Sequence, residues 1–156
     1  MTASDAPNAI ESPFLEMLGT QIEEWRDGYT RISLVLRPEH LNRAGVVHGG
    51  VLATLLDHGG GLCGLFCAVP GNARYGMTLS LTCNFIAQTN TGVLTTIGRR
   101  TAGGRKIYFA QTEVLDANGK AIASGTSVHR FRGGSEAPEG VPARGRGASG
   151  TSDSAG

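Results

Sequence analysis

One carboxylate, Asp57, stands inside the most apolar stretch of the chain, Leu41 to Pro70, with His58 and the glycines 59–61 directly after it. A charge buried without a partner costs several kcal/mol, so Asp57 must be paired, neutralised or set beside a cavity that water and a ligand can reach. The same stretch turns at His48-Gly49-Gly50, and Gly49 precedes Asp57 by eight residues. A helix beginning at that turn presents unpaired backbone N–H groups and the positive end of its dipole. Both suit a bound anion or an oxyanion that forms during reaction. Glycine there lets a ligand approach the backbone closely. Along one helix, however, eight residues span about 12 Å, whereas a general base must come within about 3 Å of its water. The two groups of one chain therefore do not share a small site. A second helix lying antiparallel brings one subunit's Asp57 to the other's Gly49, and two-fold symmetry makes two such sites. The spacing predicts a dimer.

Other chemistry fits the residues less well. Ser, His and Asp all occur, but there is no Gly-x-Ser-x-Gly elbow. His58 is adjacent to Asp57, and neighbours on a helix point about 100° apart, so it packs elsewhere rather than acting as a second base. His40 and His129 read as structural or exposed residues. Cys63 and Cys67 share a helical face, but no second Cys or His pair completes a tetrahedral set. They read as small buried side chains, and no metal is expected. Gly59, Gly61 and Gly64 match a dinucleotide-binding spacing, yet neither the preceding strand nor the following acid is in place.

At 156 residues and a formal net charge of +1, the chain is one domain with no basic field for nucleic acid. An odd number of cysteines argues against a secreted disulfide framework. Residues 1–13 lack the pattern of a signal peptide, and the expected location is cytoplasmic. Asp57 would cost about 3 kcal/mol at a bilayer centre, so the apolar run predicts a helix buried in protein, not a membrane span.

The elements that must position Asp57 and the His-Gly-Gly turn follow from period and punctuation. Residues 1–11 are small and polar and are expected to be disordered. Ser12 to Gly19 reads as a short helix, with Ser12 as cap, Pro13 first and Gly19 ending it. Strands follow at Gln21–Trp25 and Tyr29–Leu36. A long helix, apolar almost all round and so enclosed, runs from His48–Gly50 to just before Pro70. Its glycines imply close approach, either of the sheet or of a partner's backbone. Beyond Arg74 the period becomes two: Met77, Leu79, Leu81, Cys83 and Phe85 face one way and Thr78, Ser80, Thr82 and Asn84 the other. Further strands read at Gly92–Arg99, Lys106–Leu115 and Ala121–Phe131, the last two joined by an Asn118-Gly119 hairpin turn. The domain spans 12–132, and the Gly-, Ser- and Pro-rich tail 133–156 is expected to be disordered. One helix with one antiparallel sheet curved around it is an α+β architecture.

The pattern Asn42-x5-His48-Gly49-Gly50-x6-Asp57, followed by Thr78 on a strand and by Gly104 to Ser127, resembles the hotdog-fold acyl-CoA thioesterases of the PaaI-like, phenylacetate-degradation type. The resemblance covers residues 12–131. It implies a hotdog fold of five to six strands and hydrolysis of an acyl- or aryl-CoA thioester. Coenzyme A is then part of the substrate, and no cofactor is needed. Asp57 falls on the family's catalytic acid, base or nucleophile. Gly49 falls on the amide that polarises the carbonyl, with His48 beside it, Asn42 helping to hold water or thioester, and Thr78 positioning the water. The resemblance places coenzyme A against Phe85, Ile86, Ala87, Gln88, Thr89 and Asn90, and against Gly103, Gly104, Arg105 and Lys106, with Arg130 nearby. Free backbone and two cations at 103–106 suit phosphates. It also implies a homo-oligomer, a dimer with shared sites and a dimer of dimers. A non-catalytic acyl-CoA-binding hotdog domain is the alternative.

Overall fold

In a computed structural model, residues 12–144 are described. The chain order is α1 (Pro13–Leu18), β1 (Thr20–Arg26), β2 (Tyr29–Val35), α2 (Gly49–Gly64), β3 (Asn72–Ala73), β4 (Gly76–Phe85), β5 (Val93–Gly103), β6 (Ile107–Leu115), β7 (Ala121–Phe131) and β8 (Val141–Pro142), with a 3-10 turn at Pro38–His40. Six strands form one antiparallel sheet in the order β1-β2-β5-β6-β7-β4. α2 lies against it, and Leu52, Leu55 and Leu56 pack with Leu34, Leu94, Val114 and Ile122 to form the core. This is the hotdog arrangement expected, with six strands. No helix among the described residues is long and apolar enough to cross a membrane.

Gly59, Gly60 and Gly64 of α2 face the sheet. A Cβ on Gly60 would strike the Ser127 hydroxyl, and one on Gly98 of β5 would strike the carbonyl of Gly59. Backbone packs on backbone at this crossing, which settles the close approach in favour of the protein's own sheet.

Expectations for three segments are corrected. α2 ends at Gly64 instead of continuing toward Pro70. The carbonyls that a helix leaves unpaired at its C-terminus are taken by side chains from the sheet and from the connection after the helix. Tyr108 Oη donates to Gly61 O (2.6 Å), Trp25 Nε1 to Leu62 O (2.8 Å) and an Arg74 Nη to Gly64 O (3.3 Å). Nor is α2 enclosed all round: Thr54, Asp57, His58, Gly61 and Leu65 form a half-buried stripe along one side.

The alternation on β4 breaks as well. Its pairing with β7 shifts register between Thr78 and Ser80, a bulge that leaves Leu79 50% exposed. Because of the extra residue, Thr78 and Leu81 both face α2, although strict period two puts them on opposite faces.

The tail, third, does not leave the fold at Gly133. Ser135 is buried, its hydroxyl bonded to Tyr75 and Arg132, and Val141–Pro142 pairs with Asn72–Ala73. Asn72 and Cys67 both donate to the carbonyl of Glu139. This packing rests on single polar contacts without periodicity, so composition gave no sign of it. Residues 1–11 and 145–156, also expected to be disordered, lie outside the described residues. Smaller differences are that Ser12 makes no side-chain cap and that β5 runs on to Gly103.

Candidate active site

Asp57 sits on the half-buried stripe of α2, and the β4 bulge turns Thr78 toward it. The Thr78 hydroxyl donates to Asp57 Oδ1 at 2.6 Å. Of the fates open to an isolated acid, Asp57 therefore meets the last: it is bonded by a neutral hydroxyl at the edge of a cavity. That cavity, of about 140 Å³, is lined by Asp57, His58, Leu62, Met77, Thr78 and His129, among others. His58 has its pKa lowered to about 4 by burial, against the opposing pull of Asp57. It is thus an uncharged wall of the cavity.

His129 is the site residue that sequence reading missed. On β7 it alternates with Ser127 and Phe131, all three buried toward α2. The register sets it opposite Thr78. Its Nδ1 lies 3.3 Å from Thr78 Oγ1 and its Nε2 2.8 Å from Ser127 Oγ. Tyr108 stacks on its ring with centroids 5.0 Å apart. Burial lowers the His129 pKa, again with Asp57 opposing. Period two alone pairs His129 with Ser127 and Phe131. What the sequence lacked was the register across to Thr78.

At the other end of α2 the chain is open. His48 and Gly50 are exposed. His48 Nδ1 accepts from the Gly50 N–H at 2.8 Å, so its ring caps the helix. The Gly49 N–H has no bonded acceptor among the described residues. Asn42 holds the lead-in, its Oδ1 accepting from the N–H of Ala44 (2.9 Å) and Val46 (3.4 Å). The exposed Phe85 ring lies 3.6 Å from where a Gly49 Cβ would be. The segment 85–90 continues beside the same helix end. Ile86 and Ala87 donate to Ile122 O, and Val47 donates to Thr89 O, between the exposed Gln88 and Asn90.

The loop 103–106 stands at the opposite end, bordering an 850 Å³ cleft with Arg74, Arg100, Tyr108 and Phe131. Arg74 and Arg100 are already engaged, by Gly64 O and Glu136 O and by Asp27 respectively. Arg130 lies on the outer face of the sheet, since its neighbours His129 and Phe131 point inward. The structure thus brings together Asp57 and Thr78, and separately Gly49, His48, Asn42 and 85–90. It leaves the two groups about two turns apart along one helix, Gly49 at its start and Asp57 midway.

A single long helix packed within a six-stranded antiparallel sheet defines a hotdog protein, here with one anchored carboxylate beside a small cavity. Residues 44–123, just over half of the chain, match the family model of the thioesterase superfamily, and the chain belongs to that superfamily. Conserved protein PA5202 of Pseudomonas aeruginosa superposes with a TM-score of 0.72 at 26% identity, covering 81% of this chain and 99% of that one. The PaaI protein from the phenylacetic acid degradation operon of Escherichia coli does so with a TM-score of 0.70 at 18% identity, over 79% and 86%, a likeness of fold alone. "Putative esterase SSO2140" of Saccharolobus solfataricus is 27% identical over 122 residues, 74% of this chain and 85% of its own. A 42-residue stretch is 43% identical to a "Putative esterase" of Archaeoglobus fulgidus, covering 27% of each. Family and relatives support a thioesterase-type hydrolase.

Proposed function

We propose that this protein hydrolyses the thioester of an acyl- or aryl-CoA, releasing the free acid and coenzyme A, in a site shared between two copies of the chain. The observation that carries the reading is the separation of an anchored acid, Asp57, from an unbonded helix-start amide, Gly49, on one helix. An antiparallel second copy joins them. Asp57 of one subunit then takes a proton from water, and the hydroxide adds to the carbonyl carbon. The Gly49 N–H of the other subunit receives the oxyanion, worth about 3 kcal/mol for one such donor. Collapse of the adduct expels the thiolate of coenzyme A. Thr78 keeps one carboxylate oxygen fixed while the other works.

The same pairing unites the two stretches assigned to coenzyme A, 103–106 of one subunit and 85–90 of the other. It also accounts for β4, an edge strand of ten residues paired on one side only and exposing Met77, Leu79 and Phe85. A bare apolar edge of that length invites a second copy to pair with it, so the reading includes a dimer, and a dimer of dimers. The half-buried apolar walls suit an acyl or aryl group. Cys63, Cys67 and Cys83 are free thiols, in keeping with a reducing compartment, and a cytoplasmic location is part of the proposal.

Thiol release from hexanoyl-CoA and benzoyl-CoA tests it, with gel filtration alongside. Asp57→Asn should keep the fold and oligomer while lowering kcat at least about a hundredfold. Near-normal turnover in that variant removes Asp57 from its role. Tight binding of both thioesters by the unaltered protein, with no thiol released, would mark a binding domain instead of an enzyme.

A further inference from the structure

Behind Asp57 runs a line of side chains whose hydrogens, with His129 neutral, have only one consistent arrangement. A carboxylate only accepts, so Thr78 must spend its single hydrogen on Asp57 Oδ1. The Thr78 oxygen then faces His129 Nδ1, at 3.3 Å, as an acceptor, so Nδ1 carries a hydrogen. In a neutral imidazole Nε2 is then bare and accepts from the Ser127 hydroxyl, 2.8 Å away. Every hydrogen in the line points toward Asp57.

The surroundings hold this state. Tyr108 lies flat on the His129 ring, and its own hydroxyl is taken by Gly61 O. The titratable groups that face His129 are Asp57 and His58 from α2 and Tyr108 from β6. β4 presents the Thr78 hydroxyl, and β7 itself presents Ser127. A charged His129 would reverse the Ser127 bond, with Nε2 donating to the hydroxyl oxygen, and would put a positive charge two hydrogen bonds from the carboxylate that must act as base. Burial disfavours that form.

We propose that His129 is a positioning residue: its neutral, Nδ1-protonated ring fixes the Thr78 hydroxyl on Asp57 Oδ1, so that Oδ2 alone is left to meet the water. The inference rests on the hydrolytic reading of Asp57 and assigns His129 no contact with substrate.

The test is steady-state thiol release from hexanoyl-CoA by the full-length oligomer. His129→Phe keeps a ring against Tyr108 but removes the donor, and should lower kcat by about tenfold or more with KM unchanged. His129→Asn restores an N–H near the Nδ1 position and should return kcat to within about threefold of the unaltered protein. The pH profile separates positioning from mere packing. In the unaltered protein kcat falls as His129 charges, at a pH below the usual imidazole value. In His129→Asn that limb should be lost or move to lower pH.

Unaltered kcat in His129→Phe overturns the proposal, as does a loss that His129→Asn does not repair in a protein of unchanged melting temperature. Should either variant fail to fold, nitrogen NMR of the unaltered protein at about pH 7 decides, since a hydrogen on Nε2 instead of Nδ1 refutes the arrangement. An inactive Asp57→Asn beside a fully active His129→Phe sinks this inference alone. An active Asp57→Asn sinks the hydrolytic reading itself.

Discussion

The two ends of α2 differ in how complete they are. Toward the C-terminus, three side chains from outside the helix bond its last carbonyls, and Asp57 is held by Thr78 with His129 and Ser127 behind it. At the N-terminus the helix caps itself with His48, leaves the Gly49 N–H without an acceptor among the described residues, and is flanked by an exposed Phe85. One end is bonded to the rest of the chain and the other is left open. On the function proposed above, a helix that carries the acid midway and the amide at its open start is half of two sites.

The sharpest way to break that comparison is to damage the ends separately. Asp57→Asn and Gly49→Val should each be nearly inactive as pure oligomers. Mixed oligomers assembled from the two should regain activity, because every mixed pair contains one site with both groups intact. Recovery should approach half the unaltered value per mixed pair, measured by thiol release after co-expression. No recovery in verified mixed oligomers means that acid and amide do not meet across subunits.

A smaller effect is expected behind the bonded end. Gly60→Ala puts a methyl into the Ser127 hydroxyl, with Thr112 Oγ1 and His129 Nε2 within 3.3 Å and 3.0 Å of it. Overpacking of this kind costs about 1–3 kcal/mol, seen as a lowered melting temperature. An unchanged melting curve would show that helix and sheet can separate at this crossing without cost. The smallest effect belongs to the open end. His48→Ala removes only the helix cap, so stability should fall by about 1 kcal/mol and thiol release should stay within about threefold. A hundredfold loss of turnover at unchanged stability would place the His48 ring against substrate.

Much of this was legible in the residues. Ser-Pro at the start and Gly19 at the end marked α1, and Gly19 takes the left-handed conformation with φ +85°. Asn118-Gly119 marked the β6–β7 hairpin, where Gly119 has φ +78° and Asp116 Oδ1 accepts from the N–H of Asn118 and Lys120. Asp57 was visible because a lone acid in an apolar run is costly. Thr78 was visible only through a family resemblance, for its own alternation pointed it the wrong way. A single inserted residue at Leu79 reverses every face beyond it, and no propensity announces such a bulge.

The sequence by itself determined the order of elements, the helix start at His48-Gly49-Gly50 and the eight-residue gap to Asp57. These depend on local spacing, cap chemistry and the rise of a helix, all of which neighbouring residues set. The tertiary structure alone decided that Thr78 meets Asp57, that His129 stands behind it, that α2 stops at Gly64 and that residues 133–144 pack back onto the fold. Each of those depends on strand register or on a polar contact between distant residues. Such pairings are fixed by what packs across the sheet, and a linear pattern does not contain them.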